Sequence, residues 1–275
     1  CAVVLEDGIH GHRIDIHENG AHMPLLWTSE IPATIDGRAM HNVQNAMFAA
    51  AITYRMGVSL EDVRQGLKTF DTTWFQAPGR MNIFDELPFK VILDYAHNPA
   101  AVKTMSDLVD RLSETGRKIV VLAAPGDRRD EDIREIARAA AGHFDHYICR
   151  QDDSLRGRAE GEVPGKLRDG LIEAGVPAEQ IEIVADEQQS VQHALAIART
   201  GDLVLIFGDA IKRCWKQIIY FKPGEPETVP VKKDAGRGRF EPLEMEGEAF
   251  TPTGGVALLR DERGVMIAPE PEEAD

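Results

Sequence analysis

The chain is short of cysteine, of aromatic residues, of positive charge and of any long apolar run, and each shortage removes a class of protein. Three cysteines in 275 residues, Cys1, Cys149 and Cys214, are too few and too scattered for a disulfide framework or a thiolate zinc site. No stretch reaches the roughly 20 apolar residues of a membrane-spanning helix, and no basic, apolar, small-residue leader opens the chain. The expectation is a soluble cytoplasmic protein with no membrane partner. The formal charge is −15, from 31 Lys and Arg against 46 Asp and Glu. That balance disfavours nucleic acid or an anionic lipid surface as a partner, while leaving room for a local basic pocket. Four catalytic motifs are also missing. Without GxxxxGK[ST] the chain has no loop of its own to cradle a triphosphate. Without GxSxG, HExxH or CxxC, hydrolase and zinc-enzyme readings lose their usual support. The chain opens on Cys1, inside what reads as a strand, Ala2-Val3-Val4-Leu5, so a piece of a longer protein is expected.

What is present falls into three regions. Residues 1–76 begin with strand-like runs around Asp7-Gly8 and Asn19-Gly20 turns. An Ala-rich helix over Asn42–Met56 follows, then a second helix capped by Ser59 with Glu61 and Asp62 in its first turn. Residues 77–222 alternate β-branched runs with amphipathic stretches. Strands are expected at Val91–Leu93, Ile119–Leu122, Tyr147–Ile148, Ile181–Val184 and Leu203–Phe207. Helices are expected at about 100–112, 131–141, 164–174, 188–199 and 210–220. Continuous apolar strands separated by helices predict an α/β fold, a mainly parallel Rossmann-like sheet covered on both faces. Residues 223–275 form an acidic tail rich in Pro and Gly, with one candidate hairpin at 256–268.

Ligands of such sheets gather at the carboxyl ends of the strands, so the chemistry is sought in the loops there and at the seam between the first two regions. Asn42 and Asn45 are three apart on a predicted helix and share a face. Two carboxamides there can offer donors and acceptors to a planar base, or Asn42 can simply cap the helix. Arg80, in Ala77-Pro78-Gly79-Arg80-Met81, sits where the regions meet and could clamp a phosphate or remain a solvated linker residue. Asp94-Tyr95-Ala96-His97-Asn98-Pro99 is the strongest local signal. An acid at a strand end can bond a ribose diol, His97 and Asn98 would lie at a helix N-terminus, and Pro99 suits a first helical turn. Arg128 follows the next strand. Asp153, Arg156, Arg158, Glu160 and Glu162 follow the third, on a Gly-containing loop suited to a zwitterionic amino acid or to solvent.

In this order the motifs resemble the back half of the Mur ligase family. Ile31-Pro32-Ala33-Thr34 through Ala46 is similar to the end of that family's central ATPase domain, Ala77–Met81 to the start of its C-terminal domain, and Asp94–Pro99 to its signature turn. The stretch from Phe70 to Arg80, with Arg156-Gly157-Arg158 and Gly161-Glu162, resembles the branch that builds a polymer of aspartate and arginine. The resemblance implies an enzyme that phosphorylates a carboxylate with ATP and lets an amine attack the acyl phosphate. In this branch the amine is arginine and the carboxylate an aspartate side chain of an aspartate-backbone polymer. It further implies Asn42, Asn45, Arg80, Asp94 and His97 around the nucleotide, with His97 and Arg80 nearest the chemistry. It implies that Arg128, Asp153, Arg156, Arg158, Glu160 and Glu162 read the incoming amino acid. No metal ligand is expected within the chain, because the phosphate loop and the Mg²⁺ ligands of the family lie upstream, so the piece alone is expected to be inactive. A homo-oligomer is expected for the full-length enzyme. The Lys-Gly-His-Glu turn of some cell-wall ligases is replaced by Gly208-Asp209-Ala210-Ile211-Lys212-Arg213. Two other readings stand beside this one: a noncatalytic nucleotide- or polymer-binding module, and a Mur-type ligase of the folate or cell-wall kind.

Overall fold

The computed structural model describes residues 1–9, 11–112 and 115–224, together with the backbone of 249–250, 258–261 and 264–267. Cys1–Pro223 form one compact unit and Gly224–Asp275 a second. The first unit opens with an antiparallel meander, β1 (Ala2–Gly8), β2 (Gly11–Glu18) and β3 (Ala21–Trp27). Asn19 and Gly20 take positive φ between β2 and β3, the combination a tight hairpin requires. Alternation then sorts the faces. Ile14 and Ile16 of β2 pack with Leu26 against Ala46, Ala50 and Val63, while Arg13, Asp15 and His17 fall on the other side. Those alanines and Val63 belong to α1 (Met40–Arg55) and α2 (Leu60–Thr69). The Ser59 hydroxyl caps α2, accepting from the Asp62 N–H at 3.2 Å.

The larger sheet has the order β4-β5-β9-β6-β7-β8, with β4 (Asn82–Phe84), β5 (Lys90–Asp94), β6 (Lys118–Leu122), β7 (His146–Cys149), β8 (Ile181–Ile183) and β9 (Leu203–Phe207). Five strands run parallel and β4 pairs antiparallel at the edge. The apolar strand runs fill both faces. Ile92, Val120, Leu122 and Leu205 pack under α3 (Pro99–Arg111), α4 (Asp130–Ala140) and α5 (Glu162–Glu173). Val91, Leu93, Val121 and Ile206 pack under α6 (Glu187–Ile197) and α7 (Ile211–Ile219). This is the expected mixed α/β fold with a mainly parallel sheet, and each predicted strand of the region is present. The addition is β4, which the sequence did not announce. Because β9 inserts between β5 and β6, the loops after these strands gather at one edge, where ligands of such sheets bind.

In the second unit β10 (Ala249–Phe250), β11 (Leu258–Asp261) and β12 (Gly264–Ile267) pair antiparallel. The last two occupy the predicted 256–268 hairpin, whose residues 256, 257, 262, 263 and 268 lie outside the described residues. Among the described residues no helix is long and apolar enough to cross a membrane.

Candidate active site

A cavity of about 900 Å³ opens between α1, α2, α3 and the turn leading into β4, lined by Asn42, Asn45, Arg80 and Asp94 among others. Its size is that of a small-molecule pocket, and its walls combine apolar side chains, alanines above all, with polar groups that include His41, Asn45, Thr53, Arg80 and Asp94. Asn42 and Asn45 divide their labour. The Asn42 amide donates to Ala33 O at 2.7 Å and its carbonyl oxygen accepts from Asn45 Nδ2 at 3.1 Å. Asn42 therefore holds Asn45, and Asn45 keeps a carbonyl oxygen and a second N–H for the cavity. The capping alternative for Asn42 is overturned, because α1 starts at Met40 with Ala39 as its N-cap. His41 adds a nitrogen, Nδ1, that is buried with no hydrogen-bond partner among the described residues. Burial holds its imidazole below the ordinary value.

The opposite wall is built by the Pro-Gly turn. Gly79 has φ +73°, and a Cβ there would lie 3.0 Å from Ile211 Cγ2, so any other residue would be strained. Its N–H donates to Asn82 Oδ1 at 2.6 Å, and Asn82, fully buried, donates in turn to Thr72 O and Ala77 O. Met81, also at positive φ, donates its N–H to Asp94 Oδ2 at 2.8 Å, while Ala96 N–H donates to Asp94 Oδ1 at 2.8 Å. Both Asp94 oxygens thus carry a backbone bond already, and each retains one lone pair for a ligand hydroxyl. Burial raises the Asp94 carboxyl above its usual range against those two N–H groups and the charges of Arg80 and His97. Arg80 is exposed and lies over the Tyr95 ring, 5.8 Å from its centroid.

A second, smaller hollow of about 90 Å³ lies at the carboxyl ends of β5, β6, β7 and β9, lined by His97, Arg128, Arg150, Asp152, Arg156 and Asp209 among others. The signature turn separates the two: Asp94 faces the cavity, Tyr95 and His97 the crevice. Beneath the crevice lies a buried charge network. Arg150, 1% exposed, donates to Phe207 O at 2.7 Å and Gln151 O at 2.9 Å, and pairs with Glu187 at 2.9 Å and Asp152 at 3.2 Å. Glu187 also accepts from Asp209 N–H and bonds Arg213, which reaches Asp153 at 2.7 Å. Burial alone would raise Glu187, but Arg150, the Asp209 N–H and Arg213 hold it below its usual value. Asp152 is less well compensated: burial pushes it to about 6 despite Arg150.

Residues 79–210 match the family described as Mur ligase, glutamate ligase domain. They form a Mur ligase C-terminal domain. A cyanophycin synthetase of Crocosphaera subtropica is 34% identical over 212 residues, 77% of this chain and 24% of that protein. One from Synechocystis is 35% identical over 222 residues, 81% of this chain and 25% of that protein. The chain therefore spans about a quarter of the length of these curated relatives. A bifunctional folylpolyglutamate synthase/dihydrofolate synthase from Yersinia pestis, solved with AMPPNP and Mn ion, shares the fold with a TM-score of 0.54 and 20% identity. That match covers 79% of this chain and 45% of the other.

The expected site residues separate into those that meet and those that do not. Asn42, Asn45, Arg80 and Asp94 share the cavity. His97 does not join them: its Nδ1 bonds Tyr95 O at 3.0 Å and the ring borders the crevice instead, because the three residues of the turn after Asp94 carry it past the Tyr95 ring. Of the expected amino-acid readers, Arg128 and Arg156 border the crevice. Arg158 and Glu162 are bonded to each other at 2.7 Å, and Arg158 also holds Asp130 and the carbonyls of Gly126 and Arg128. They brace two loops. Asp153 is engaged by Arg213, and Glu160 is exposed outside the crevice. The crevice acids are Asp152 and Asp209, and the residues that sequence reasoning missed are Arg150, Glu187 and Arg213, which pair through Glu187 across distant parts of the chain. Cys149 and Cys214 are buried thiols, and burial pushes the first up to about 12 and the second further, which disfavours the reactive thiolate.

Proposed function

We propose that this chain is the acceptor half of an ATP-dependent amide-bond ligase that joins arginine to an aspartate side chain of an aspartate-backbone polymer through an acyl phosphate. The observation that carries the reading is the cavity at the seam, where Asn45, Arg80 and Asp94 converge from three different elements. Residues 1–76 are then the end of a central ATPase domain and 77–222 the C-terminal domain that closes on it. The adenosine of ATP fits the cavity: Asn45 and the orphaned His41 Nδ1 offer polar contacts to a base between apolar walls, and Asp94 retains lone pairs for a ribose hydroxyl. Mg²⁺ does not fit this lining, since its acids are Asp62 and an Asp94 already bonded to two N–H groups.

The crevice on the far side of the signature turn suits the incoming amine. Asp152 and Asp209 offer carboxylates to a guanidinium or ammonium group, while Arg128 and Arg156 suit a carboxylate. Arg150 and Glu187 fix the floor on which these groups stand. Holding the amine one turn away from the nucleotide supplies proximity, the main contribution such a domain makes. The likeness to cyanophycin synthetases supports arginine over other acceptors. The test is ATP-dependent incorporation by the full-length, cytoplasmic and homo-oligomeric enzyme, offered arginine, glutamate or diaminopimelate with the aspartate polymer. Arginine alone should be incorporated; incorporation of glutamate without arginine ends the substrate assignment.

A further inference from the structure

The polar face of the opening meander carries a cluster that the cavity and the crevice do not use. On β2, Arg13, Asp15 and His17 alternate onto one side; on β3, His22 pairs directly with His17 across the Asn19-Gly20 turn; on β1, Glu6 pairs with Arg13. Register alone therefore brings two imidazoles and two carboxylates together. Their ligand atoms lie within 4.8 Å of one another. His17 Nε2 is 3.4 Å and His22 Nε2 3.7 Å from the same oxygen, Glu6 Oε1. Zinc–nitrogen and zinc–oxygen bonds of about 2.0–2.2 Å place tetrahedral ligands roughly 3.4 Å apart, so these separations are those of a metal's ligand shell.

Three features favour an ion over a plain network of ion pairs. His17 Nε2 is buried, and although it is near Glu6 it makes no hydrogen bond to any described residue. An imidazole nitrogen withdrawn from water without a partner is costly unless something else binds it. His22 Nε2 is held against Asp15 Oδ2 in a short contact, and a divalent ion there would replace the proton between them. Asp15 is fully buried and is bonded by both Arg13 Nε and Nη2 at 2.7 Å, so one ligand is already fixed from behind, as outer-shell partners fix metal ligands.

We propose that Glu6, Asp15, His17 and His22 form a binding site for a divalent transition-metal ion of the zinc class, pinning the three strands of the meander. Two imidazoles with two carboxylates suit zinc or cobalt, and suit Mg²⁺ poorly. The site is separate from the cavity and does not depend on the ligase reading. A second set, His146, Glu182 and His193, offers three ligands and serves as the internal control.

The experiment is isothermal titration of the 275-residue chain with Zn²⁺, beside His17→Gln, His22→Gln and His193→Gln, with Co²⁺ absorption as a readout of geometry. Both meander histidines are partly exposed, and thermal melts in chelator check that the variants fold. The expected result is one tight zinc per chain and intense tetrahedral cobalt bands. His17→Gln and His22→Gln should each weaken zinc by more than about 10-fold, while His193→Gln leaves it unchanged. No zinc binding overturns the proposal, as does binding that survives both meander substitutions or is lost only in His193→Gln.

Discussion

Asp94 was expected to serve a ligand, and its surroundings give it two tasks. Its carboxylate closes the Met81 and Ala96 N–H groups from opposite sides, and removing it orphans two backbone donors in a buried turn. An unsatisfied buried donor costs about 1–3 kcal/mol, so Asp94→Ala should lower the unfolding free energy by about 2–5 kcal/mol in urea titrations, in addition to any loss of nucleotide affinity. A neutral stability effect would mean that the turn is held by something else. Asp152 offers a pH test. Its folded value, about 6, lies above the ordinary carboxylate value. Between about pH 4 and pH 6 the folded chain thus keeps a proton that the unfolded chain has released, and stability falls as pH rises through that window. Asp152→Asn removes this penalty, so it should raise stability by about 2–3 kcal/mol near pH 8 and leave it unchanged near pH 4. An equal effect at both values would show that Asp152 is not held in this state.

The elements were legible where one physical cause dominated. Val91–Leu93 and Leu203–Phe207 read as strands because both of their faces are buried, which leaves an unbroken apolar run in the sequence. Strand β4 did not read, since its three residues at the sheet edge pair only with β5 and include the buried Asn82. Its amide serves as a staple to Thr72, Ala77 and Gly79, a function of loop geometry that no spacing encodes. The signature turn was legible because Asn98 caps α3 and Pro99 opens it, while the buried Arg150–Glu187–Arg213 network was not, because its members follow β7, β8 and β9 and meet only at the carboxyl edge of the assembled sheet. The Pro-Gly turn yields its own prediction. At φ +73° and with Ile211 in contact, Gly79→Ala should destabilise the chain by at least about 1–2 kcal/mol. It should also loosen Met81 and Asp94, detectable as faster amide exchange at both. Unchanged exchange would contradict the idea that this turn organises the cavity wall.

Within the unit Cys1–Pro223, the cavity lies at the seam between the α-helical layer that covers the meander and the larger sheet. One wall comes from α1 and α2, the other from the turn into β4 and the end of β5, and the signature turn carries the chain from that cavity to the crevice. The most direct test is titration of this chain with AMPPNP by calorimetry, beside Asn45→Ala and Arg80→Ala, two exposed positions whose substitution should leave the melting temperature unchanged. The account predicts saturable binding that Asn45→Ala weakens by about 5–10-fold, the worth of one hydrogen bond, with Arg80→Ala weaker as well. Binding of equal strength in all three chains, or protection of amides away from residues 41–45 and 77–81, would contradict it.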